Sequence, residues 1–198
     1  FRIMVKQTVG LKKIKVGHTG TLDPKATGLL LLCTGRATKQ IEQLMLDRKE
    51  YVATLKFGAT TPSFDLEHPE DAHYPYEHIT QGMLEEALQE FLGTTLQVPP
   101  IFSAVSVGGK RAYDLARKGK DCQLEGKPIT IHELEVVSFE PPYATLRISC
   151  GKGTYIRSLA RDLGEKLQSG AYLTSLRRTQ LGSVRVEDSL TLEELPDF

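Results

Sequence analysis

Asp23 is the only acidic residue in a stretch of twelve residues, 17–28, that also holds three glycines, three threonines and Pro24. Glycine tolerates backbone conformations that other residues resist, while proline fixes one dihedral angle and donates no hydrogen bond. The composition therefore predicts a shaped loop rather than a helix or a regular strand. A carboxylate in such a loop can serve as a nucleophile. If it is buried, it keeps its charge at neutral pH only with a cation beside it.

The alternative for residues 17–28 is a purely structural turn. Aspartate often hydrogen-bonds to nearby backbone amides in turns, and the proline after it would support that arrangement. Composition alone favours this alternative. The apolar run that follows, residues 29–33, is short and continuous, which predicts a strand buried on both faces.

Arg157 is the candidate cation, and it lies near the start of a helix predicted over residues 154–167. A positive charge at a helix N-terminus opposes the macrodipole, so a specific carboxylate partner would account for it. Without such a partner, Arg157 would be an exposed charge on the first helical turn. Taken alone, Tyr51 in a predicted strand and Tyr155 near the start of a predicted helix would be core residues, as aromatic residues in such places usually are.

Two motifs resemble those of the pseudouridine synthases, in particular the bacterial TruB type, which acts on uridine 55 in the T-arm of tRNA. Residues 17–28 match the catalytic-loop motif GHTGTLDPxATG, and residues 152–157 match KGTYIR. The resemblance implies that Asp23 is the nucleophile and that Arg157 is its ion-pair partner. It also implies that Tyr51 stacks on the target base and accepts the proton from carbon 5.

The same resemblance implies a set of substrate-binding residues. Tyr155 and Leu176 would form the wall of the pocket, and His18 would take the place of the flipped uridine in the T-loop stack. Lys152, beside two glycines, is placed to approach a phosphate, and Arg178 is a further candidate for contact with RNA. Taken alone, His18 would be a loop histidine and Leu176 a core residue. The chemistry implies no metal and no cofactor.

Charge is unevenly distributed although the formal net charge is zero. Residues 1–49 contain ten Lys or Arg and three acids, whereas residues 57–109 contain eight acids and no Lys or Arg. Such segregation permits a basic face toward phosphate. The three cysteines fit neither a disulfide framework nor a metal pair, and no apolar run approaches the roughly 20 residues of a membrane span. We expect a cytoplasmic monomer that binds the T-arm of tRNA, with no metal and no membrane contact.

Periodicity and turn residues predict the elements that position these side chains. In the helix over residues 80–92, five apolar residues are expected to face inward: Met83, Leu84, Leu88, Phe91 and Leu92. The predicted helices span residues 1–13, 36–47, 80–92, 110–119 and 154–167. The predicted strands span residues 29–33, 49–57, 101–107, 129–139 and 144–150, and residues 58–78 are predicted to be a long surface loop.

Two segments differ from the family pattern. Residues 99–117 resemble its RNA-gripping insertion, PPxxSAxKxxGxxxYxxAR, with Ser106 in place of the lysine. After Gly58 the family commonly has Arg-x-Asp-Thr-x-Asp, and here only Thr61 and Asp65 keep their places. We expect this second departure to leave the catalytic set untouched. The family's N-terminal Lys-Pro-x-Gly-x-Ser motif is absent from the sequence, and we expect no C-terminal RNA-binding domain.

The expected fold is α+β, with a mixed, mostly antiparallel sheet, flanking helices and a central RNA-binding cleft. Residues 1–198 would form a single catalytic domain with the insertion at about residues 99–128. The expected function is isomerisation of a uridine, at position 55, to pseudouridine in tRNA by base flipping and an aspartate nucleophile. Two alternatives remain open: a non-catalytic RNA-binding or tRNA-folding factor, and a guide-directed relative that acts on ribosomal RNA.

Overall fold

The fold is built on a central strand whose side chains alternate between the core and a half-buried face. This computed structural model describes residues 3, 14–45, 48–103, 105–107, 110–112, 124–191 and 193–194. The strands are β1 (Val16–His18), β2 (Thr27–Gly28), β3 (Leu32–Thr34), β4 (Lys49–Phe57), β5 (Ala59–Thr60), β6 (Ala72–His73), β7 (Gly93–Gln97), β8 (Ser106–Val107), β9 (Lys110–Arg111), β10 (Lys127–Glu140), β11 (Tyr143–Cys150), β12 (Ala171–Leu181) and β13 (Val184–Arg185). The helices are α1 (Ile41–Leu44), α2 (Gln81–Gln89) and α3 (Ile156–Lys166), with 3-10 turns at Gly35–Gln40 and Val186–Asp188.

Seven strands form the main sheet, in the order β13-β12-β4-β11-β10-β7, with β2 added alongside β12. All pairings are antiparallel except that of β2 with β12, so the sheet is mixed. Helices α2 and α3 pack against it through Leu84, Leu88, Leu159 and Leu163, which are fully buried. The α+β expectation is confirmed. No helix within the described ranges is long and apolar enough to cross a membrane.

The predicted strands over 49–57, 129–139 and 144–150 are confirmed, as is the helix over 154–167, which begins two residues later than expected. The helix over 80–92 is confirmed between Gln81 and Gln89, but Met83 is exposed because it lies on the solvent side of α2. Residues 36–47 are helical, starting as a 3-10 turn, as far as they are described. The predicted helix over 1–13 lies almost wholly outside the described residues.

Three other predictions are wrong. Residues 29–33 do not form a strand buried on both faces: β3 pairs only with β1 in a small separate sheet, which leaves Leu30 exposed. Residues 58–78 are not simply a surface loop, because they contain the β5–β6 hairpin and several buried side chains. The predicted helix over 110–119 is wrong at residues 110 and 111, which form β9 of a short hairpin. Ala112 is helical, and residues 113–119 lie outside the described residues.

We predict that Cys150 makes the protein less stable at alkaline pH. Its side chain is 1% exposed, and burial raises its pKa from 9.0 to about 11, partly offset by a hydrogen bond with Thr154. Because the unfolded thiol ionises first, stability is intact below pH 9 and is lost progressively as pH rises toward 11, by about 2–3 kcal/mol. Urea unfolding at several pH values should show a shallower alkaline loss in Cys150→Ala. Equal slopes in both proteins would refute this assignment.

Candidate active site

The centre of the main sheet places Tyr51 beside Arg178. These residues lie opposite each other on β4 and β12, and both are buried, Arg178 to 1% exposure. The guanidinium of Arg178 donates from Nε to the carbonyl of Leu29 at 2.7 Å and from Nη2 to the carbonyl of Gly20 at 3.2 Å. Its positive charge also lies close enough to the Tyr51 hydroxyl to lower the pKa of that phenol, against the larger effect of burial. Arg178, predicted to contact the substrate, is therefore engaged in holding the loop of residues 17–28 over the sheet.

Gly28→Ala should destabilise the protein strongly. Gly28 has a φ of 100°, and a Cβ atom there would lie 2.2 Å from the carbonyl oxygen of Arg178. Left-handed strain plus overpacking should lower the free energy of unfolding, measured in urea, by about 2–4 kcal/mol. The matched control is Gly82→Ala in α2, where a Cβ would meet nothing within 4 Å. That variant should match the wild type or exceed it by up to about 1 kcal/mol. Equal stability of the two variants would contradict the close approach at Gly28.

Asp23 and Arg157 form a two-pronged ion pair in which both carboxylate oxygens accept a hydrogen bond. Arg157 Nε donates to Asp23 Oδ2 at 2.9 Å, and Nη2 donates to Asp23 Oδ1 at 2.9 Å. The Asp23 side chain remains about one-third exposed, whereas Arg157 is 4% exposed. This parallel geometry orients the carboxylate.

Arg157 is itself fixed by groups that the sequence analysis did not assign to the site. Nη1 donates to the carbonyl of Ser63 at 3.2 Å, and Nη2 donates to the carbonyl of Phe102 at 3.1 Å. The buried Asp65 carboxylate lies on another side, with Oδ2 3.6 Å from Arg157 Nε. The segment that contains the departure contacts Arg157 directly, through the backbone carbonyl of Ser63 and through Asp65, which keeps its place in the family pattern.

Helix α3 is anchored at the residue that precedes it. Tyr155, the N-cap, donates its backbone N–H to Gln97 Oε1 at 2.8 Å, and its carbonyl accepts from Gln97 Nε2 at 3.1 Å. Gln97 is the buried last residue of β7. The side-chain amide of Gln97 thus fixes the backbone of Tyr155 within the KGTYIR motif. It thereby also sets the direction in which the Arg157 side chain extends from α3.

An open cleft of about 560 Å³ adjoins the ion pair. Asp23, Tyr51, Tyr155 and Lys152 all line it, as does Arg178 at its floor. Its volume falls within the range of small-molecule sites. The structure therefore brings six of the eight predicted site residues to this cleft, namely Asp23, Tyr51, Arg157, Tyr155, Lys152 and Arg178.

Sequence reasoning missed two charged residues of the cleft, Lys49 and Glu67. Lys49 is buried, and its Nζ donates to the carbonyl of Met45 at 2.9 Å. Because side chains alternate along β4, Lys49 lies on the same face as Tyr51, two residues away. The two-residue period of this strand could therefore have identified Lys49 as a residue of the cleft. No local pattern marks Glu67, which reaches the cleft from the segment beyond β5.

Two predicted residues lie away from the cleft. Leu176 lines a separate small pocket that also borders Asp23 and Arg157. His18 is exposed at the end of β1, and its Nδ1 accepts a hydrogen bond from the backbone of Gly20 at 3.3 Å. Neither side chain contributes to the lining of the main cleft.

Burial is the main cause of the altered acidity of both tyrosines. It raises the pKa of Tyr51; the negative charges of Cys150 and Asp23 act in the same direction, and Arg178 opposes them. Burial likewise raises the pKa of Tyr155, with the nearby Ser103 hydroxyl and the charge of Arg157 opposing it. Both phenols are therefore protonated at neutral pH.

In the part of the chain that the structure describes, no cluster of three His, Cys, Asp or Glu residues could hold a metal ion.

Solved structures show the same fold. A crystal structure of a Cbf5-Nop10-Gar1 complex aligns with 98% of this chain and 48% of that chain, with a TM-score of 0.70 and 29% sequence identity. An H/ACA RNP bound to a substrate RNA containing 2'-deoxyuridine aligns with 99% of this chain and 47% of that chain, with a TM-score of 0.69 and 26% identity. This chain spans about half the length of those chains.

Sequence comparison is more specific. A curated relative from Phocaeicola vulgatus, named tRNA pseudouridine synthase B, is 57% identical over 197 residues, which cover 100% of this chain and 84% of the relative. Residues 157–198 match the family model of the tRNA pseudouridylate synthase B C-terminal domain. Residues 6–156 match the N-terminal domain of the TruB family of pseudouridylate synthases. This chain therefore belongs to the TruB family of pseudouridylate synthases.

Proposed function

We propose that this protein isomerises uridine 55 in the T-loop of tRNA to pseudouridine, with Asp23 as the nucleophile. The observation that carries the proposal is the two-pronged pair of Asp23 and Arg157 at the side of a cleft of about 560 Å³. The pair supplies an ionised, oriented carboxylate, and the cleft offers room for a nucleotide that has left its stack. Family membership and relatives named tRNA pseudouridine synthase B support tRNA as the substrate.

Binding starts with extraction of the uridine from the RNA stack. This step costs a few kcal/mol, which contacts in the cleft must offset. Tyr51 presents an aromatic ring on which the base can stack, and Tyr155 forms the opposite wall. Lys152, exposed at the mouth of the cleft, is placed to attract a phosphate. His18 lies outside the main cleft and would contact the RNA loop around the target uridine. Leu176 also lies outside it and would contact the sugar of that uridine near Asp23.

The isomerisation then needs one carboxylate. Asp23 can attack carbon 1' of the ribose or the pyrimidine ring, and both routes use the same ionised oxygen. The bond between carbon 1' and N1 breaks, the uracil rotates, carbon 5 bonds to carbon 1', and Asp23 is released. While Asp23 is bonded to the substrate it carries no negative charge, and Asp65 is then the carboxylate that remains beside Arg157.

The proton on carbon 5 must leave at the end of the reaction, and Tyr51 is our proposed acceptor. Burial keeps Tyr51 protonated at neutral pH, so it can take this proton only as its own phenolic proton leaves in the same step. The acceptor of the phenolic proton is N1 of the rotated uracil, which carries a hydrogen in pseudouridine. The positive charge of Arg178 lowers the pKa of the Tyr51 phenol and thus favours that transfer.

We further propose that residues 1–198 act as one catalytic domain and as a monomer. In support, β12 lies in the region matched by the C-terminal family model, yet it pairs with β4 in the same sheet. Because tRNA is the proposed substrate, the cytoplasm is the expected compartment. Residues 99–128 would form the segment that grips the RNA.

Tritium release tests the proposed function. A tRNA transcript labelled at carbon 5 of its uridines is incubated with the protein alone, without a guide RNA or a second protein. We expect release from this transcript and none from a matched transcript in which uridine 55 is cytidine. Release from both would contradict the assigned position. No release from either, with tRNA still bound, would instead support a non-catalytic RNA-binding or tRNA-folding factor.

A further inference from the structure

The segment that departs from the family pattern forms a compact support behind Arg157. Thr61 Oγ1 donates to the carbonyl of Asp65 at 2.8 Å and accepts from its backbone N–H at 3.0 Å. Between them, Phe64 has a φ of 59°, a left-handed conformation that a bulky residue keeps only when surrounding contacts impose it. Its ring lies 5.3 Å from the guanidinium of Arg161. The segment is thus held in one conformation.

The hydrogen bonds in this segment have a defined direction. Ser63 Oγ lies 2.6 Å from Asp65 Oδ1 and 2.9 Å from His68 Nδ1. A carboxylate paired with Arg157 has no hydrogen to donate, so the single hydroxyl hydrogen of Ser63 goes to Asp65. His68 must then be the donor to Ser63, which assigns a proton to its Nδ1. The bonds run from His68 to Ser63 to Asp65.

This series of bonds leads to the catalytic ion pair. Ser63 and the backbone N–H of Glu67 both donate to Asp65 Oδ1, the latter at 2.9 Å, which leaves Oδ2 facing Arg157 Nε at 3.6 Å. Within the described residues, Oδ2 is buried and has no hydrogen-bond donor. Donors on Oδ1 therefore hold this carboxylate at a distance from Arg157, whose Nε stays bonded to Asp23.

His68 also connects the two backbone carbonyls that hold Arg157. Its ring lies 4.6 Å from the ring of Phe102, whose carbonyl accepts from Nη2. Its Nδ1 bonds to Ser63, whose carbonyl accepts from Nη1. A single half-buried side chain therefore links both acceptors of Arg157 and the carboxylate that competes for it.

We propose that His68 is a positioning residue that acts through Ser63 to keep Asp65 and Arg157 in register with Asp23. The inference rests on the proposed function, because it concerns the alignment of the same nucleophile. It assigns to Ser63 and His68 the task of orienting the Asp65 carboxylate.

Asparagine and glutamine at position 68 give the sharpest test. The amide nitrogen of asparagine can occupy the position of Nδ1, whereas that of glutamine extends toward the position of Nε2. We expect single-turnover tritium release to slow by about 10–100-fold in His68→Gln and Ser63→Ala and by less than about threefold in His68→Asn. Affinity for tRNA should stay within about twofold of the wild type in all three, because neither Ser63 nor His68 lines the main cleft.

The double variant and a control complete the design. Ser63→Ala combined with His68→Gln should be no slower than Ser63→Ala alone, because both changes break the same series of bonds. His73→Gln is the matched control, since the His73 side chain is 76% exposed, and it should behave as the wild type. Equal rates for His68→Asn and His68→Gln, or additive losses in the double variant, would overturn the inference. The proposed function would still stand in that case, provided that the wild type releases tritium. Absence of release from the wild type would overturn both.

Discussion

Asp23→Asn will lower the single-turnover rate of tritium release by at least about 10⁴-fold. The amide oxygen is a poor nucleophile, and the amide nitrogen would face a donor of Arg157 where the carboxylate accepts two hydrogen bonds. The substitution preserves side-chain volume, so tRNA affinity should remain within about twofold of the wild type.

The control for this prediction is Asp188→Asn, which makes the same chemical change at an exposed residue of the second 3-10 turn. It should leave both the rate and the affinity unchanged. Substantial activity in Asp23→Asn would remove Asp23 from the role of nucleophile, whatever its pairing with Arg157.

Arg157→Lys should have the second largest effect, a loss of about 10²–10³-fold in the single-turnover rate. Lysine keeps the positive charge, but a single ammonium cannot donate in parallel to both oxygens of Asp23. It would also leave the carbonyls of Ser63 and Phe102 without a donor in a buried site, so the melting temperature should fall. Tritium release and thermal unfolding measure the two effects.

The matched control is Arg147→Lys, since Arg147 forms an exposed ion pair with Glu135. We expect it to change neither the rate nor the melting temperature measurably, as exposed pairs contribute little. A fully active Arg157→Lys would show that charge alone suffices and that the two-pronged geometry has no part in the reaction.

Part of this site was accessible from the sequence because its chemistry is concentrated in two local motifs. Residues 17–28 and 152–157 each present several functional groups in a fixed spacing, and the structure brings Asp23 and Arg157 together as the resemblance implied. The alternation in residues 49–57 likewise predicted β4 without reference to any partner.

The remainder depends on contacts between distant segments. Asp65 reaches Arg157 through a buried turn that composition marks only as a loop. Strand β12 was not predicted because register shifts near Leu173 and Arg178 interrupt the period of two along it. The apolar run 29–33 predicts a strand in the core, but within the described residues its strand β3 pairs with β1 in a separate two-stranded sheet. Pairing of this kind is set by tertiary structure and leaves no periodic signal.

The most direct test of the central claim is a crystal structure of the Asp23→Asn variant bound to an RNA hairpin with the sequence of the T-arm. We predict that the target uridine is flipped into the cleft, stacked on Tyr51, with the side-chain oxygen of residue 23 about 3–3.5 Å from the carbon that it attacks. A uridine that remains stacked within the RNA, or one that is flipped toward a different side chain, would contradict the account.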